Sequence, residues 1–377
     1  MQIITGLLVI LIGAASAVAQ QAPSQSAPVF RAGTTLVLVP ALVRMKSDEP
    51  VFSLKAGDFL LTDDDVPQSL TLEEDTDREP LALAVVVQVG GTGARHLDDY
   101  RSLQTTIEAL VGDVQHRVAV IGFDSETRLL ENFTSEMNSI GETLHDLESG
   151  DSDAAVYDAL RFAVGQLQKQ PPEYRRAILL ISETVDHGSR TALEDAVRAV
   201  SDTNTIIYSF AFSSTKAAAG GEASRMGNDP EPGPPGGCFA KDPNEDPAKH
   251  KKGLEKTYDC LGLLAPPLRA AKIAALLAMN SMRRNAPETV SQLTGGEYYT
   301  FKDKRSLQKA MLTVSNHVPN RYVLSFRPSA PHPGLHTLEL RLKDEPKLEI
   351  IARRSYWAQD PAFKETRLQD TTAPQQP

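Results

Sequence analysis

Four mainly apolar segments, separated by stretches of helical periodicity, dominate the middle of the chain. They are LALAVVVQV, RVAVIGFDS, RRAILLISE and TIIYSFAFS, which begin at residues 81, 117, 175 and 205. A strand that is buried on both faces is apolar throughout, and strands that alternate with helices are typical of a parallel sheet covered by helices on both faces. The sequence therefore predicts an α/β fold over residues 79–318, built on a doubly wound, mostly parallel sheet.

An insertion interrupts this α/β pattern over residues 216–285. Its first part is rich in Gly and Pro, and it ends in an amphipathic helical pattern over 268–285. The α/β pattern then resumes with a helix, a pair of glycines typical of a helix end, and a strand. Both cysteines of the chain, Cys238 and Cys260, lie in the insertion. In an exported protein they predict one local disulfide, and two free thiols are the alternative.

Short segments of alternating hydrophobicity flank the α/β block on both sides, over residues 34–78 and 319–358. Alternation with a period of two is typical of strands that bury one face only. We expect the two segments to pair with each other and to form one small antiparallel β-sheet domain from both chain ends.

Two polar turns of these flanking segments contain residue types that could carry chemistry. In the first, the spacing of Asp63, Asp64 and Asp65 does not match a calcium-binding loop, so we interpret it as a solvated hairpin turn. In the second, His332 and His336 flank a Pro-Gly pair. Because Pro-Gly pairs mark turns, both histidines are predicted to be surface residues.

The first 19 residues have the pattern of an export signal. A long apolar run ends in the small residues AVA directly before Gln20, and it is shorter than the ~20 residues that a membrane span needs. This pattern predicts a cleaved signal peptide over 1–19 and a secreted or periplasmic protein, with an uncleaved membrane anchor as the alternative. A flexible leader over 20–33 and a disordered tail over 359–377 complete the predicted organisation.

The charge balance limits the classes of partner. The chain has 39 Lys and Arg residues against 49 Asp and Glu residues, a net charge of −10. Without a basic block, such a chain is a poor candidate for binding nucleic acid, so we expect a protein partner. The GxSxG and GxGxxG motifs are both missing from the sequence, and we expect neither enzymatic activity nor a cofactor. A hydrolase that uses His187 and Glu183 is an alternative.

Three polar loops are the candidate binding surface of the α/β block. They span residues 88–93, 149–154 and 183–189, and two of them directly follow apolar strands. Ligands of open α/β sheets sit beyond the carboxyl ends of the strands. We therefore expect these loops to lie together and to contact a partner.

The order of these segments resembles the von Willebrand factor type A domain. The whole mature chain resembles the bacterial VWFA-related proteins, which carry such a domain between short β segments. LKAGDFLLTDDDVPQSL in the first flank resembles the hairpin of that family, and RYVLSFRP, HTLELRL and ARRSYWA resemble its closing strands. The resemblance implies the α/β fold with flanking strands.

The resemblance also implies where a metal-ion-dependent adhesion site would lie. In the family, an Asp and two hydroxyls of a DxSxS motif, a Thr and a later Asp hold Mg²⁺ or Mn²⁺, which prefer oxygen ligands. At the matching positions this chain has Gln88, Gly90, Thr92, Ala154 and Glu183. Only Thr92 and Glu183 keep the chemical type, so the resemblance implies a degenerate site that binds no metal.

These arguments predict an exported, non-enzymatic interaction or adhesion module that binds a protein partner through the three loops. An adhesion module that depends on Mg²⁺ or Mn²⁺ through altered ligands is one alternative. A pure scaffold for the flanking strands is another.

Overall fold

The computed structural model describes residues 36–73, 79–212, 266–345 and 347–358. The predicted signal peptide, leader and tail, most of the insertion, and Cys238 and Cys260 lie outside these ranges. Fourteen strands are described: β1 Val37–Met45, β2 Phe59–Asp63, β3 Val66–Gln68, β4 Thr71–Glu73, β5 Leu81–Gln88, β6 His116–Phe123, β7 Thr127–Thr134, β8 Arg175–Glu183, β9 Thr205–Phe212, β10 Tyr298–Thr300, β11 Tyr322–Phe326, β12 Gly334–Leu342, β13 Leu348–Ala352 and β14 Ser355–Ala358. The α-helices within the described ranges are α1 Leu97–Tyr100, α2 Gln104–Val111, α3 Met137–His145, α4 Val156–Gln168, α5 Leu193–Ser201, α6 Pro266–Arg284, α7 Ala286–Thr294 and α8 Lys304–His317.

A six-stranded sheet in the order β10-β9-β8-β5-β6-β7 forms the centre of the α/β block. Its first five strands are parallel, and β7 alone runs antiparallel to its neighbour. The chain starts at the centre of the sheet with β5, moves outward to one side through β6 and β7, and then to the other through β8, β9 and β10. This order confirms the predicted doubly wound α/β fold.

Helices cover both faces of this sheet and form two separate cores. Odd-numbered residues of β5 enter a core shared with α2, α3 and α8, whereas even-numbered residues enter a core shared with α4, α5, α6 and α7. All eight residues of β5 are buried for this reason. Burial on both faces explains why the strand is apolar from Leu81 to Val87.

The edge strand β7 was not predicted from the sequence. Its side chains alternate between half-buried and exposed, and its register with β6 shifts twice along the pairing. An edge strand with bulges needs no continuous apolar run, because only part of one face packs against the protein. The segment TRLLENFT therefore carries no strong strand signal.

The flanking segments form two four-stranded sheets, in the orders β13-β1-β11-β4 and β14-β12-β2-β3. In the first sheet β1 pairs antiparallel with β11 and β13, and in the second β2 pairs antiparallel with β12. The predicted pairing of antiparallel strands from both chain ends is confirmed, but the strands form two sheets rather than one. Apolar side chains from both sheets share one core, so each sheet covers the apolar face of the other.

The surface position predicted for His336 is wrong. Residues 336, 338 and 340 of β12 point to the same side, where Leu338 and Leu340 belong to the core between the two sheets. The His336 side chain is 1% exposed. The period-two alternation of β12 predicts that residue 336 is buried, but the neighbouring Pro-Gly pair predicted an exposed turn instead.

The two four-stranded sheets together form a β-sandwich, and a buried guanidinium joins this β-sandwich to the α/β block. Arg353 donates hydrogen bonds to the carbonyl oxygens of Ser201 at 2.7 Å, Ser355 at 2.7 Å and Leu38 at 3.2 Å. It also donates to Asn204 Oδ1 at 3.0 Å. Burial lowers the pKa of Arg353 to about 10, and these acceptors hold the charged form in the interior.

A second buried polar contact lies between β10, α8 and the N-terminal flank. Glu297 Oε1 is 2.9 Å from His317 Nδ1, and its Oε2 accepts a hydrogen bond from Arg321 Nη2 at 2.9 Å. His317 Nε2 lies 3.2 Å from the carbonyl oxygen of Asp48. Burial opposes charge on both partners, yet their hydrogen bond lowers the pKa of Glu297 and raises the pKa of His317.

In the described part of the chain, no helix combines the length and hydropathy needed to cross a bilayer.

Candidate functional site

The predicted site residues Gln88 and Glu183 meet at the carboxyl edge of the central sheet. Each is the last residue of its strand, and β5 and β8 are parallel neighbours. Gln88 Nε2 donates to Glu183 Oε1 at 3.0 Å, and Gln88 Oε1 accepts the backbone N–H of Glu183 at 2.8 Å. Gln88 Nε2 also donates to the carbonyl oxygen of Gly90 at 3.0 Å. Both ends of the buried amide are therefore engaged within the protein.

The other oxygen of Glu183 is buried without a hydrogen-bond partner. Glu183 Oε2 faces His187 Nε2, which is buried and unpaired as well, at a distance of 3.9 Å. This distance is too long for a direct hydrogen bond. The pair therefore leaves two polar atoms unsatisfied at the floor of the loops, where an unpaired group is costly.

Backbone hydrogen bonds connect the three loops into one surface, which we call the loop face and define as residues 88–93, 149–154 and 183–189. Ala154 and His187 exchange two of these bonds, at 2.8 and 2.9 Å. Gly91 N–H donates to the carbonyl oxygen of Asp151 at 2.6 Å, and Gly150 N–H donates to that of Val89 at 3.0 Å. The predicted proximity of the loops is present in the structure, and internal contacts hold them together.

The remaining predicted residues lie in the same loops, but Gly90 and Ala154 are buried and only Thr92 has a side-chain oxygen. A Cβ atom at Gly90 would press against the carbonyl oxygen of Asp153 and would lie 2.6 Å from Asp124 Cβ, so the backbone leaves no room for a serine there. Ala154 is fully buried and contributes only its backbone. Thr92 is half-buried in a short 3₁₀ helix over Gly91–His96.

This donor set does not fit a Mg²⁺ or Mn²⁺ ion. The position of the first carboxylate holds a neutral amide whose oxygen already accepts a backbone N–H, and positions 90 and 154 have no hydroxyl group. Glu183 offers one carboxylate oxygen, since the other accepts from Gln88. Hard divalent cations require more oxygen ligands than this set supplies. That the protein works without a metal at this edge stays a prediction.

Several acidic residues surround the loop face, and sequence reasoning did not identify the most buried of them. Asp124 directly follows β6, is 4% exposed, and accepts a hydrogen bond from Arg128 Nη2 at 2.5 Å. Its place at the carboxyl end of an apolar run is the signal that could have found it. Asp151 accepts hydrogen bonds from the Ser125 hydroxyl and from the backbone of Asp153, which lower the pKa of Asp151.

A surface cavity of about 740 Å³ opens beside the loop face, between β6, β7 and α3. One cation, Arg128, lines this cavity together with six carboxylate side chains. The carboxylates are those of Asp124, Glu131, Glu142, Asp146, Glu148 and Asp151. This excess of negative charge favours a positively charged ligand.

His187 and Glu183, the residues of the hydrolase alternative, lie beside Ser189, which makes its hydrogen bonds to other groups. Ser189 Oγ lies within hydrogen-bond distance of Asp186 and of two backbone N–H groups at the start of α4. Its hydroxyl donates to Asp186 Oδ1 at 2.5 Å rather than to His187. Burial raises the pKa of Asp186, although hydrogen bonds from Ser189 and from the backbone of Tyr157 oppose this shift.

No model of a known protein family matches this sequence, and no curated protein matches it. Among solved structures, the chain is similar to BatB from Bacteroides thetaiotaomicron, with 14% identity over 62% of this chain and 96% of that chain and a TM-score of 0.36. An aerotolerance-related membrane protein from Bacteroides fragilis matches at 14% identity over 63% and 98%, with a TM-score of 0.35. The SpRpn10 VWA domain matches at 12% identity over 37% and 78%, with a TM-score of 0.28. Because these similarities are low, the α/β fold assignment rests on the strand order and the two cores.

Proposed function

We propose that the protein is an exported, non-enzymatic module that binds a protein partner through the loop face, without a divalent ion at that edge. The double hydrogen bond between Gln88 and Glu183 carries this proposal, because it engages within the protein the groups that an ion would need. The backbone bonds between the loops hold the surface in one conformation before binding. A surface ordered in advance loses little conformational entropy when a partner docks.

The acidic cavity beside the loop face indicates the charge of the proposed partner. Six carboxylates surround one guanidinium there, and the chain as a whole carries a net charge of −10. The proposed partner therefore presents a basic segment to the cavity while it contacts the loops. Complementary charges of this kind accelerate association and make it sensitive to salt.

Site-directed photo-cross-linking in the exporting cell tests the location of this interface. A cross-linking amino acid replaces the exposed Ser149 on the loop face, and in a matched control it replaces the exposed Gln168 at the far end of α4. We expect a discrete adduct from position 149 and none from position 168. Adducts of equal strength from both positions would contradict a loop-face interface.

Charge reversal tests the basic partner. In the variant, Glu142→Lys and Glu148→Lys reverse two exposed carboxylates of the cavity. In the control, Asp113→Lys and Glu173→Lys make the same change in net charge at the opposite edge of the sheet, where both side chains are exposed. We expect the Ser149 adduct to fall at least ~10-fold in the variant, since each unfavourable charge contact costs affinity. An equal loss in the control would refute a role for the cavity.

A further inference from the structure

A second group of ligating side chains lies in the β-sandwich, away from the loop face. Asp64 Oδ2, His332 Nε2 and His336 Nδ1 all lie within 4.8 Å of one another. The carboxylate oxygen is 3.0 Å from each of the two ring nitrogens. His336 is 1% exposed, His332 is 11% exposed and Asp64 is 15% exposed, so the group is shielded yet open to solvent on one side.

The hairpin between β2 and β3 fixes the carboxylate of this group. Asp64 and Asp65 are its two loop residues, and both have positive φ values, 47° and 66°, as a type I′ turn requires. Asp64 exchanges hydrogen bonds with Thr337 of β12: its backbone N–H donates to the Thr337 carbonyl oxygen, and its Oδ1 accepts the Thr337 N–H at 3.0 Å. These bonds orient Oδ2 toward the two histidines.

The imidazole of His336 is held in the arrangement of a metal ligand. Its Nε2 lies 2.8 Å from the carbonyl oxygen of His332, and donation along this contact leaves Nδ1 directed at Asp64. Histidines that ligate metals commonly donate their second ring nitrogen to a backbone carbonyl, which fixes the tautomer and the ring orientation. Asp63 Oδ1, 2.9 Å from His336 Nδ1, places a second carboxylate beside the group.

We propose that Asp64, His332 and His336 form a binding site for a divalent transition-metal ion of the Zn²⁺ class. Two imidazole nitrogens and one carboxylate oxygen are a ligand set that Zn²⁺ accepts, whereas Mg²⁺ and Ca²⁺ require oxygen ligands. The site is independent of the loop face and of any partner bound there. It joins the turn of β2 and β3 to β12, so the ion cross-links the N-terminal and C-terminal parts of the sandwich.

Two features of the group set the conditions for binding. The rings of His332 and His336 are stacked, with centroids 3.9 Å apart, so His332 must turn on its loop before both nitrogens face one ion. Burial opposes protonation of His336, yet hydrogen bonds to Asp63 and Asp64 raise its pKa to about 9. Because metal ligands must be deprotonated, the titration is run at mildly alkaline pH.

Calorimetric titration of Zn²⁺ into the untagged, chelator-treated chain tests the proposal. Every sample carries Cys238→Ser and Cys260→Ser, because thiolates also bind Zn²⁺. We expect one ion per chain for the parent protein, and a loss of affinity of roughly 100-fold or more for His332→Ala and for Asp64→Asn, since even outer-shell substitutions cost ~10–100-fold. The control His145→Ala, at an exposed position at the end of α3, should bind as the parent does, and Mg²⁺ should give no binding heat.

Ring nitrogen NMR of histidine-labelled protein keeps the test valid for His336, whose replacement would disturb the sandwich core. Zn²⁺ should shift the Nδ1 resonance of His336 and the Nε2 resonance of His332, and leave His145 unchanged. The proposal is overturned if the folded parent protein shows no saturable one-site binding. It is also overturned if His332→Ala and Asp64→Asn keep the parent affinity, because the bound ion would then lie elsewhere.

Discussion

Replacement of Gln88 by methionine removes the hydrogen bonds that organise the carboxyl edge of the sheet while it conserves most of the side-chain volume. Three bonds are lost: one to the Glu183 carboxylate, one to the Gly90 carbonyl oxygen and one from the Glu183 backbone N–H. A hydrogen bond to a charged group contributes ~1.5–3 kcal/mol and a neutral one ~1 kcal/mol, so we expect the free energy of unfolding to fall by ~3–5 kcal/mol. Glu183 would then have no partner for either carboxylate oxygen, since Oε2 is already unpaired.

Urea unfolding followed by circular dichroism measures this loss, with Gln168→Met as the control at an exposed helical position. A double-mutant cycle with Glu183→Leu isolates the contact itself, because replacing both polar partners by apolar groups is nearly neutral whereas replacing one is not. We expect a coupling free energy of ~2–3 kcal/mol for this pair. The reasoning is refuted if Gln88→Met costs no more than Gln168→Met, or if the Gln88 and Glu183 substitutions are additive.

Two further predictions concern packing and pH. Gly90→Ala should lower the free energy of unfolding by ~1–3 kcal/mol, because the new Cβ atom has no space. Gly165→Ala, where nothing lies within 4 Å of the new Cβ atom, should raise the free energy of unfolding by ~0.5–1 kcal/mol. Urea unfolding of both variants measures the contrast, and equal effects would argue against crowding at Gly90. The charged form of His317 makes the hydrogen bond to Glu297. The difference in free energy of unfolding between the parent and His317→Gln should therefore be largest below the ordinary histidine pKa of 6.5, and it should shrink as pH rises through the raised pKa of His317. Thermal unfolding between about pH 6 and pH 9 measures this trend, His145→Gln is the control, and a constant difference would contradict it.

The central sheet could be predicted from the sequence because burial on both faces leaves a direct trace in it. The segments that became β5, β6, β8 and β9 are mainly apolar, and the helices between them were predicted in order. The edge strand β7 leaves no such trace, since its side chains contact the protein on part of one face only. Strand signals in a sequence therefore report burial, and they weaken wherever a strand is half exposed.

The candidate site was predictable in position and not in detail. Gln88 and Glu183 end neighbouring parallel strands, so their proximity followed from the topology. The spacing of residues in the sequence does not predict side-chain directions. It therefore predicts neither their paired hydrogen bonds nor the crowding of Gly90 by Asp124 and Asp153. His336 shows the opposite case: its inward position follows from the alternation of β12, but a local turn signal masked it.

The pairing of β1 with β11 and β13 has a consequence for how the chain acquires its structure. Val37–Met45 leaves the ribosome before the whole α/β block, whereas the partners of this strand, Tyr322–Phe326 and Leu348–Ala352, leave it only after that block. The sheet over 81–300 closes within a shorter stretch of sequence, so it can assemble while β1 still waits with unpaired backbone groups. We expect closure of the sandwich to follow this assembly and to be slow, because it brings together segments separated by the entire α/β block. During that interval β1 presents unpaired backbone groups to other chains, so we expect the β-sandwich to be open to aggregation until it closes.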